Sequence, residues 1–154
     1  MPDSYDTNDP AATVRRMFAA FGTGDLDAVI DSVHPESHWT YIGANPQLTK
    51  AEFVGKASVR KFFDGIIERL EFTEFSPKEF IVQGNTVVVF GSEAGKVKAT
   101  GQTFRNEWAQ KYVVEDNQIT KMTEHNIQVE PKRLTTGSEQ GAVATSSVIS
   151  MRYS

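Results

Sequence analysis

The chain has no cysteine among its 154 residues, which excludes disulfides, thiolate metal ligands and a cysteine nucleophile. Nothing therefore calls for an oxidising compartment, and reducing cytoplasm is the expected location. Positive charge is also short: 16 Lys and Arg against 20 Asp and Glu leave a formal charge of −4. Without a basic field the phosphate-neutralising part of nucleic-acid binding is missing, so nucleic acid is not an expected partner. Long apolar runs are absent as well. Val87-Val88-Val89-Phe90 is among the longest, far short of the ~20 residues of a membrane span, so no membrane partner is expected. The first nine residues are polar and acidic, unlike the basic and then apolar layout of a signal peptide. The three histidines, His34, His38 and His125, have no zinc-ligand spacing, and no phosphate-loop or Gly-x-Ser-x-Gly pattern occurs. No metal and no cofactor are expected.

What is present is enough for a core: 39% hydrophobic residues, ten of them Phe. Asp9 before Pro10 reads as an N-cap followed by proline at the first helical position, and Val14, Met17, Phe18 and Phe21 recur at helical spacing. Gly22 and Gly24 end that helix. Asp25 caps a shorter one carrying Leu26, Val29, Ile30 and Val33, stopped by His34-Pro35. Residues 37–42 read as a strand with Trp39 and Tyr41 on one side. Thr49 and Glu52 have capping-box spacing, which predicts a helical turn there, and Val59, Phe62, Phe63, Ile66 and Leu70 form the stripe of a third helix.

From Phe72 the pattern becomes β-branched and aromatic, with strands expected over 80–83, 86–94, 102–114 and 119–129. Gly84-Asn85 and Asp116-Asn117 are hairpin turns, so sheet order should follow chain order. After Pro131 the composition turns to Ser, Thr, Gly and Ala. The expected layout is an N-terminal tail over 1–9, one α+β domain over 10–130 and a C-terminal tail over 131–154, in which Val143, Val148 and Ile149 can cover a sheet edge. Three helices and a long meander pack as two layers, and a curved sheet would leave a cleft.

Phe18-Ala19-Ala20-Phe21-Gly22-Thr23-Gly24-Asp25-Leu26-Asp27 resembles the opening of the NTF2-like superfamily, in particular its SnoaL-like and ketosteroid-isomerase-like branches. Gly55-Lys56-Ala57-Ser58-Val59-Arg60-Lys61-Phe62-Phe63 resembles the family's third helix, and residues 108–124, with Glu115-Asp116-Asn117-Gln118-Ile119, its last hairpin. The resemblance, over about residues 10–129, implies an α+β cone: a curved antiparallel sheet wrapped around three helices, with a pocket at its open end and often a homodimer. Fold alone does not settle function in such a superfamily.

The resemblance also places functional positions. The isomerase base and oxyanion-hole tyrosine fall on Tyr41 and Met17; a phenol is a poor base and a thioether no donor, which disfavours steroid-type isomerisation. A third isomerase position falls near Gln110. The two carboxylates of limonene-type epoxide hydrolases fall on Glu93 and Glu124, but their arginine falls on Gly91; Arg105 could replace it if the hairpin sets it opposite residue 91. The general acid and base of SnoaL-like cyclases falls on Glu124, which makes it the candidate catalytic residue.

Alternation puts Met122, Glu124 and Asn126 on one side of a strand and His125 on the other. A buried Glu124 would have a raised pKa suited to proton transfer; the alternative is a surface ion pair. Trp39, Tyr41, Trp108 and Tyr112 line either the cavity or the core, and Phe62, Phe63 and Ile66 either its floor or the core. The expected pocket is thus Met17, Trp39, Tyr41, Phe62, Glu93, Trp108, Gln110, Tyr112 and Met122 around Glu124, and its partner an apolar small molecule. Gln110, Tyr41 and the indole N–H groups of Trp39 and Trp108 would orient substrate oxygens. Three functions fit this pattern: a small-molecule acid–base enzyme (cyclase, isomerase or epoxide-hydrolase-like), a non-catalytic binding protein of the same fold, and a dimeric interaction module.

Overall fold

The computed structural model describes residues 9–43 and 50–129. The expected tails, the Gly43–Gln47 turn beyond Gly43, and Val143, Val148 and Ile149 lie outside them. Helix α1 (Pro10–Gly22) begins where Asp9 accepts a hydrogen bond from the Ala11 N–H at 3.0 Å, and it buries Val14 and Met17. Asp25 caps α2 (Leu26–Asp31) through the Ala28 N–H. The third helix, α3 (Lys56–Arg69), buries Val59 and Phe63 on the stripe its periodicity predicts. None of these helices is long and apolar enough to cross a membrane.

Six strands follow the order β2-β1-β6-β5-β4-β3. These are β1 (Val33–Gly43), β2 (Ala51–Val54), β3 (Leu70–Gln83), β4 (Thr86–Val97), β5 (Thr103–Glu115) and β6 (Gln118–Gln128). Strands β3 to β6 form the expected antiparallel meander. The sheet as a whole is mixed, because β1 lies parallel to β6 while β2 pairs antiparallel with β1. Periodicity could not show this: the parallel pairing joins strands as far apart in the chain as Trp39 and Met122.

Three expectations need correction. Val33 and His34-Pro35, expected to end the second helix, lie in strand β1, where Val33 pairs with Ile119 of β6. The Thr49–Glu52 spacing does not open a helix, since Ala51–Val54 is strand β2, with Phe53 opposite Trp39 and its ring 4.9 Å from that of Phe62. One end-cap is worth about 1 kcal/mol, less than strand pairing combined with burial of a phenylalanine ring. Strand β3 starts at Leu70, ten residues before the 80–83 segment. Its alternation is broken by register shifts between Phe72 and Glu74 and between Pro77 and Glu79.

Opposite each irregularity β4 carries a glycine, Gly95 across from Phe72 and Gly91 across from Pro77. A Cβ at Gly95 would run into the Glu71 carbonyl; one at Gly91 would run into the Ser76 carbonyl and the Trp108 ring. Bulges bend a strand and increase its twist. Together they curve the sheet so that its concave face receives α1 and α3. The core between the layers contains Val14, Met17, Trp39, Val59, Val89, Tyr112 and Met122. The hairpin turn at Asp116-Asn117 puts both residues at positive φ, 52° and 65°, where Asp and Asn are tolerated better than most residues.

Candidate active site

Strand register sets the site out in rows. On the concave face Val87, Tyr112, Met122 and Trp39 stand in one row, and Val89, Gln110, Glu124 and Tyr41 in the next. The third row is Gly91, Trp108, Asn126 and Gly43. Period-two alternation thus brings Glu124 beside Gln110 on one side and Tyr41 on the other. Between this face and helices α1 and α3 lies a cavity of about 180 Å³. Its apolar wall comes from Met17, Phe18 and Phe21 of α1, Phe62, Phe63 and Ile66 of α3, and Trp39, Phe53, Phe75 and Met122 of the sheet. Its polar wall is Tyr41, Glu93, Gln110, Tyr112, Glu124 and Asn126, with Arg69 from the end of α3. Two broader hollows, of about 640 and 700 Å³, lie elsewhere, and neither buried carboxyl lines them.

The polar groups form one hydrogen-bonded chain. The Tyr112 hydroxyl donates to Gln110 Oε1 at 2.6 Å, and Gln110 Nε2 donates to Glu124 Oε1 at 3.1 Å. Asn126 Nδ2 donates to Glu124 Oε2 at 2.8 Å and reaches Glu93 Oε2 at 3.3 Å. Asn106 Nδ2 completes the chain at Glu93 Oε2, 2.7 Å away. Both oxygens of Glu124 therefore meet amide N–H groups, and no Lys, Arg or His among the described residues pairs with it. The ion-pair alternative has no partner here.

Burial dominates the ionisation of this chain. Glu124 is 6% exposed, and its pKa is pushed up to about 7 by desolvation, with the Glu93 charge adding to the rise and the Asn126 and Gln110 N–H groups opposing it. Glu93 is also raised by burial, against the hydrogen bonds from Asn106 and Asn126. Burial and the two carboxylates hold the Tyr41 phenol far above its ordinary range, so it stays a neutral hydroxyl. Burial and the Glu124 charge raise the Tyr112 phenol likewise.

The cavity wall brings together Met17, Trp39, Tyr41, Phe62, Glu93, Gln110, Tyr112, Met122 and Glu124. Trp108 does not join them. Its ring stacks between Phe18 and Phe75, with centroids 6.0 and 5.4 Å away, and covers the bare backbone of Gly91. Its Nε1 is buried without a hydrogen-bond partner. The indole of Trp39 is on the wall, but its N–H is already given to Ser37 Oγ at 2.9 Å. The Trp39 donor is thus already engaged, and the Trp108 donor, though unpartnered, is not on the cavity wall.

Arg105 does not stand in for the arginine missing at position 91. The register sets it opposite Ala94, while Trp108 faces Gly91, and Arg105 pairs with Glu74 at 3.3 Å on the exposed side. His125 is exposed, on the face its parity predicts. Sequence reasoning passed over two groups that bind the carboxylates, Asn106 and Asn126. Their signal was parity, since Asn106 alternates with Trp108 and Gln110, and Asn126 with Glu124. Arg69 was missed because its helical position reads as ordinary exposed surface. Among the described residues no three His, Asp or Glu side chains gather as a metal's ligands would.

A family model for the SnoaL-like domain matches residues 14–122. The comparison with curated proteins gives no match. Among solved structures, an NTF2-like protein from Burkholderia xenovorans is 27% identical, with a TM-score of 0.67 over 77% of this chain and 88% of its own. TerC, co-crystallised with polyporic acid, is 22% identical, with a TM-score of 0.65 over 75% of this chain and 89% of its own. A candidate polyketide cyclase from Xanthomonas campestris is 19% identical, with a TM-score of 0.61 over 76% and 89% of the two chains. The three-helix cone with its mixed six-stranded sheet and the match across most of the domain agree: the chain belongs to the SnoaL-like family, on the NTF2-like fold.

Proposed function

We propose that this protein is an acid–base enzyme that moves a proton on a small, mostly apolar molecule held between the helices and the sheet, using its own side chains alone. One observation carries the reading: Glu124 is a buried carboxyl on the cavity wall, paired with no cation among the described residues, with its pKa pushed up to about 7. At that value both protonation states are populated near neutral pH, the condition under which one group serves as base and then as acid. Gln110 and Asn126 hold the carboxyl in place, and the neutral phenol of Tyr41, one strand away, is the group suited to steady a developing oxyanion. TerC's co-crystallisation with polyporic acid and the candidate cyclase on the same fold support cyclic small molecules as the substrate class.

The test is proton exchange into deuterium oxide at the carbon next to the carbonyl of bicyclic ketones such as 2-tetralone, followed by NMR. Wild type should accelerate exchange. Glu124→Gln, which keeps size and shape but carries no exchangeable acid, should lower that acceleration by roughly 10² to 10⁴ while the protein stays folded. Equal rates in the two folded proteins would end the catalytic assignment. Ketones that bind wild type and never exchange faster would leave the carrier reading in its place.

A homodimer is part of the proposal. Phe90 and Ile127 are exposed on the convex face of the sheet, at 42% and 46% of their surface, and such a face is suited to a second copy. Light scattering at micromolar concentration checks this; a monomeric mass would reject it.

A further inference from the structure

Arg69 ends α3 and lines the cavity, where it is the only Lys, Arg or His among the lining residues. Its side chain has none of the structural duties open to an arginine at a helix end. Three of the last four carbonyls of α3 are served without it: the Leu70 N–H donates to Ile66, Lys98 Nζ to Ile67 at 2.8 Å and the Lys98 N–H to Arg69 at 2.9 Å. The described ion pairs of α3 and its neighbours, Arg60 with Asp27 and Lys96 with Glu71, do not include it. The cation–π contact belongs to Arg15 over Phe80. Among the described residues the guanidinium is unpaired.

It is nevertheless placed. Gly65 lies one turn earlier in α3, and a Cβ there would come 2.7 Å from Arg69 Nη1. The guanidinium therefore lies across bare helix backbone. A glycine inside a helix costs roughly 1 kcal/mol relative to alanine, and here the missing side chain is what leaves Arg69 its position. An unpaired fork of N–H donors, and the open space at Gly65 that admits it, meet at the exposed end of the cavity.

The cavity is consequently polarised. Its buried end holds Glu93 and Glu124, and its exposed end holds Arg69. An anionic group would be repelled from the carboxyls and drawn to the guanidinium, whose planar fork matches a carboxylate. We infer that Arg69 anchors a carboxylate on the outer end of the ligand, so that the site takes a small apolar ring system bearing one carboxylate. This rests on the reading of the cavity as a small-molecule site. It also fixes orientation: the charged end stays outside and the uncharged end is delivered to Glu124.

A matched pair of probes tests it: 2-naphthylacetate, which is anionic at neutral pH, and its uncharged amide, titrated by calorimetry at low salt. Wild type should bind the acid about tenfold more tightly than the amide, as one charge-assisted contact at a partly solvated site allows. Added salt should erode that advantage and leave the amide unchanged. Arg69→Gln should bring the acid down to the level of the amide without altering the amide, and Arg69→Lys should restore part of the difference. Equal affinities in wild type, or a proportional loss of both probes in Arg69→Gln, would overturn the anchor and leave the residue as wall. Failure of both the acid and the amide to bind wild type would bring down the cavity reading itself, and the anchor with it.

Discussion

Glu124 sits between effects of opposite sign. Two amide N–H groups favour its ionised form, while burial and Glu93 favour the neutral one, and the net rise from 4.5 to about 7 says that burial wins. The consequence for stability follows from proton counting. Between pH 4.5 and 7 the folded chain binds a proton that the unfolded chain has released, so stability falls as pH rises through that window. Below the window the cost is absent, and above it complete. Taken over the whole shift it is on the order of 3 kcal/mol, at about 1.36 kcal/mol per pKa unit. Glu124→Gln has no proton to lose. Its melting temperature relative to wild type should therefore rise from pH 5 to pH 8, and a difference that stays constant would place the Glu124 pKa near its ordinary value. The exchange rate, if Glu124 is the base, should rise with pH to a midpoint near 7. Asn126→Leu removes a hydrogen bond to the ionised form and should move that midpoint upward. Glu93 and Glu124 were legible in the sequence because their chemical type matches family positions, Gln110 because it falls near one with an amide in place of the acid, and strand parity gives each a side. Trp108 has the right parity as well. It was misplaced because parity gives the side and not the depth, and the absence of a side chain at Gly91 lets the ring lie flat in the core instead of on the wall.

At the scale of elements, the site depends on the two places where β3 and β4 approach closely. Gly91 and Gly95 face the bulges at Pro77 and Phe72, and in both cases backbone occupies the space a side chain would need. Gly91→Ala would press a methyl group on the Ser76 carbonyl and the Trp108 ring. The ring can shift but the carbonyl is held in a strand, so the substitution should destabilise the fold by about 1–3 kcal/mol, as overpacking does. Thermal or denaturant unfolding measures this; an unchanged midpoint would mean that the strand relaxes freely. The bulges also explain what could not be read from the sequence. Phe72 and Phe75 are three residues apart, a spacing that breaks strand alternation, yet the register shift at Phe72/Glu74 puts their rings 5.7 Å apart. Helix α1 was readable because cap, period and stop agree locally; for α2 the cap was, but Val33 and His34-Pro35, read as its end, belong to β1. Strand β2 was not, because the cap signal at Thr49 is local and the pairing that overrides it lies on β1.

For the whole molecule, the parallel pairing of β1 with β6 is what assembles the cavity. It carries Trp39 and Tyr41 from the front of the chain to positions beside Met122 and Glu124 near its end. A molecule in the cavity would touch both helical and sheet layers and both halves of the chain, so its binding should stabilise the entire fold by about 2.7 kcal/mol at a hundredfold excess over Kd. The two tryptophans allow that event to be located. Trp39 is on the cavity wall, whereas Trp108 lies behind it, screened by Phe18 and Phe75 and packed on Gly91. With 2-tetralone as the probe, a Trp108→Phe protein has Trp39 as its only indole and should keep the ligand-induced change in emission. A Trp39→Phe protein should lose that change while its melting temperature still rises with ligand, because the rest of the wall remains. The melting shift keeps a silent spectrum from being mistaken for absent binding. If the emission change instead persists in Trp39→Phe and disappears in Trp108→Phe, the ligand acts on the Phe18–Trp108–Phe75 stack on the α1 side of the wall and does not contact Trp39.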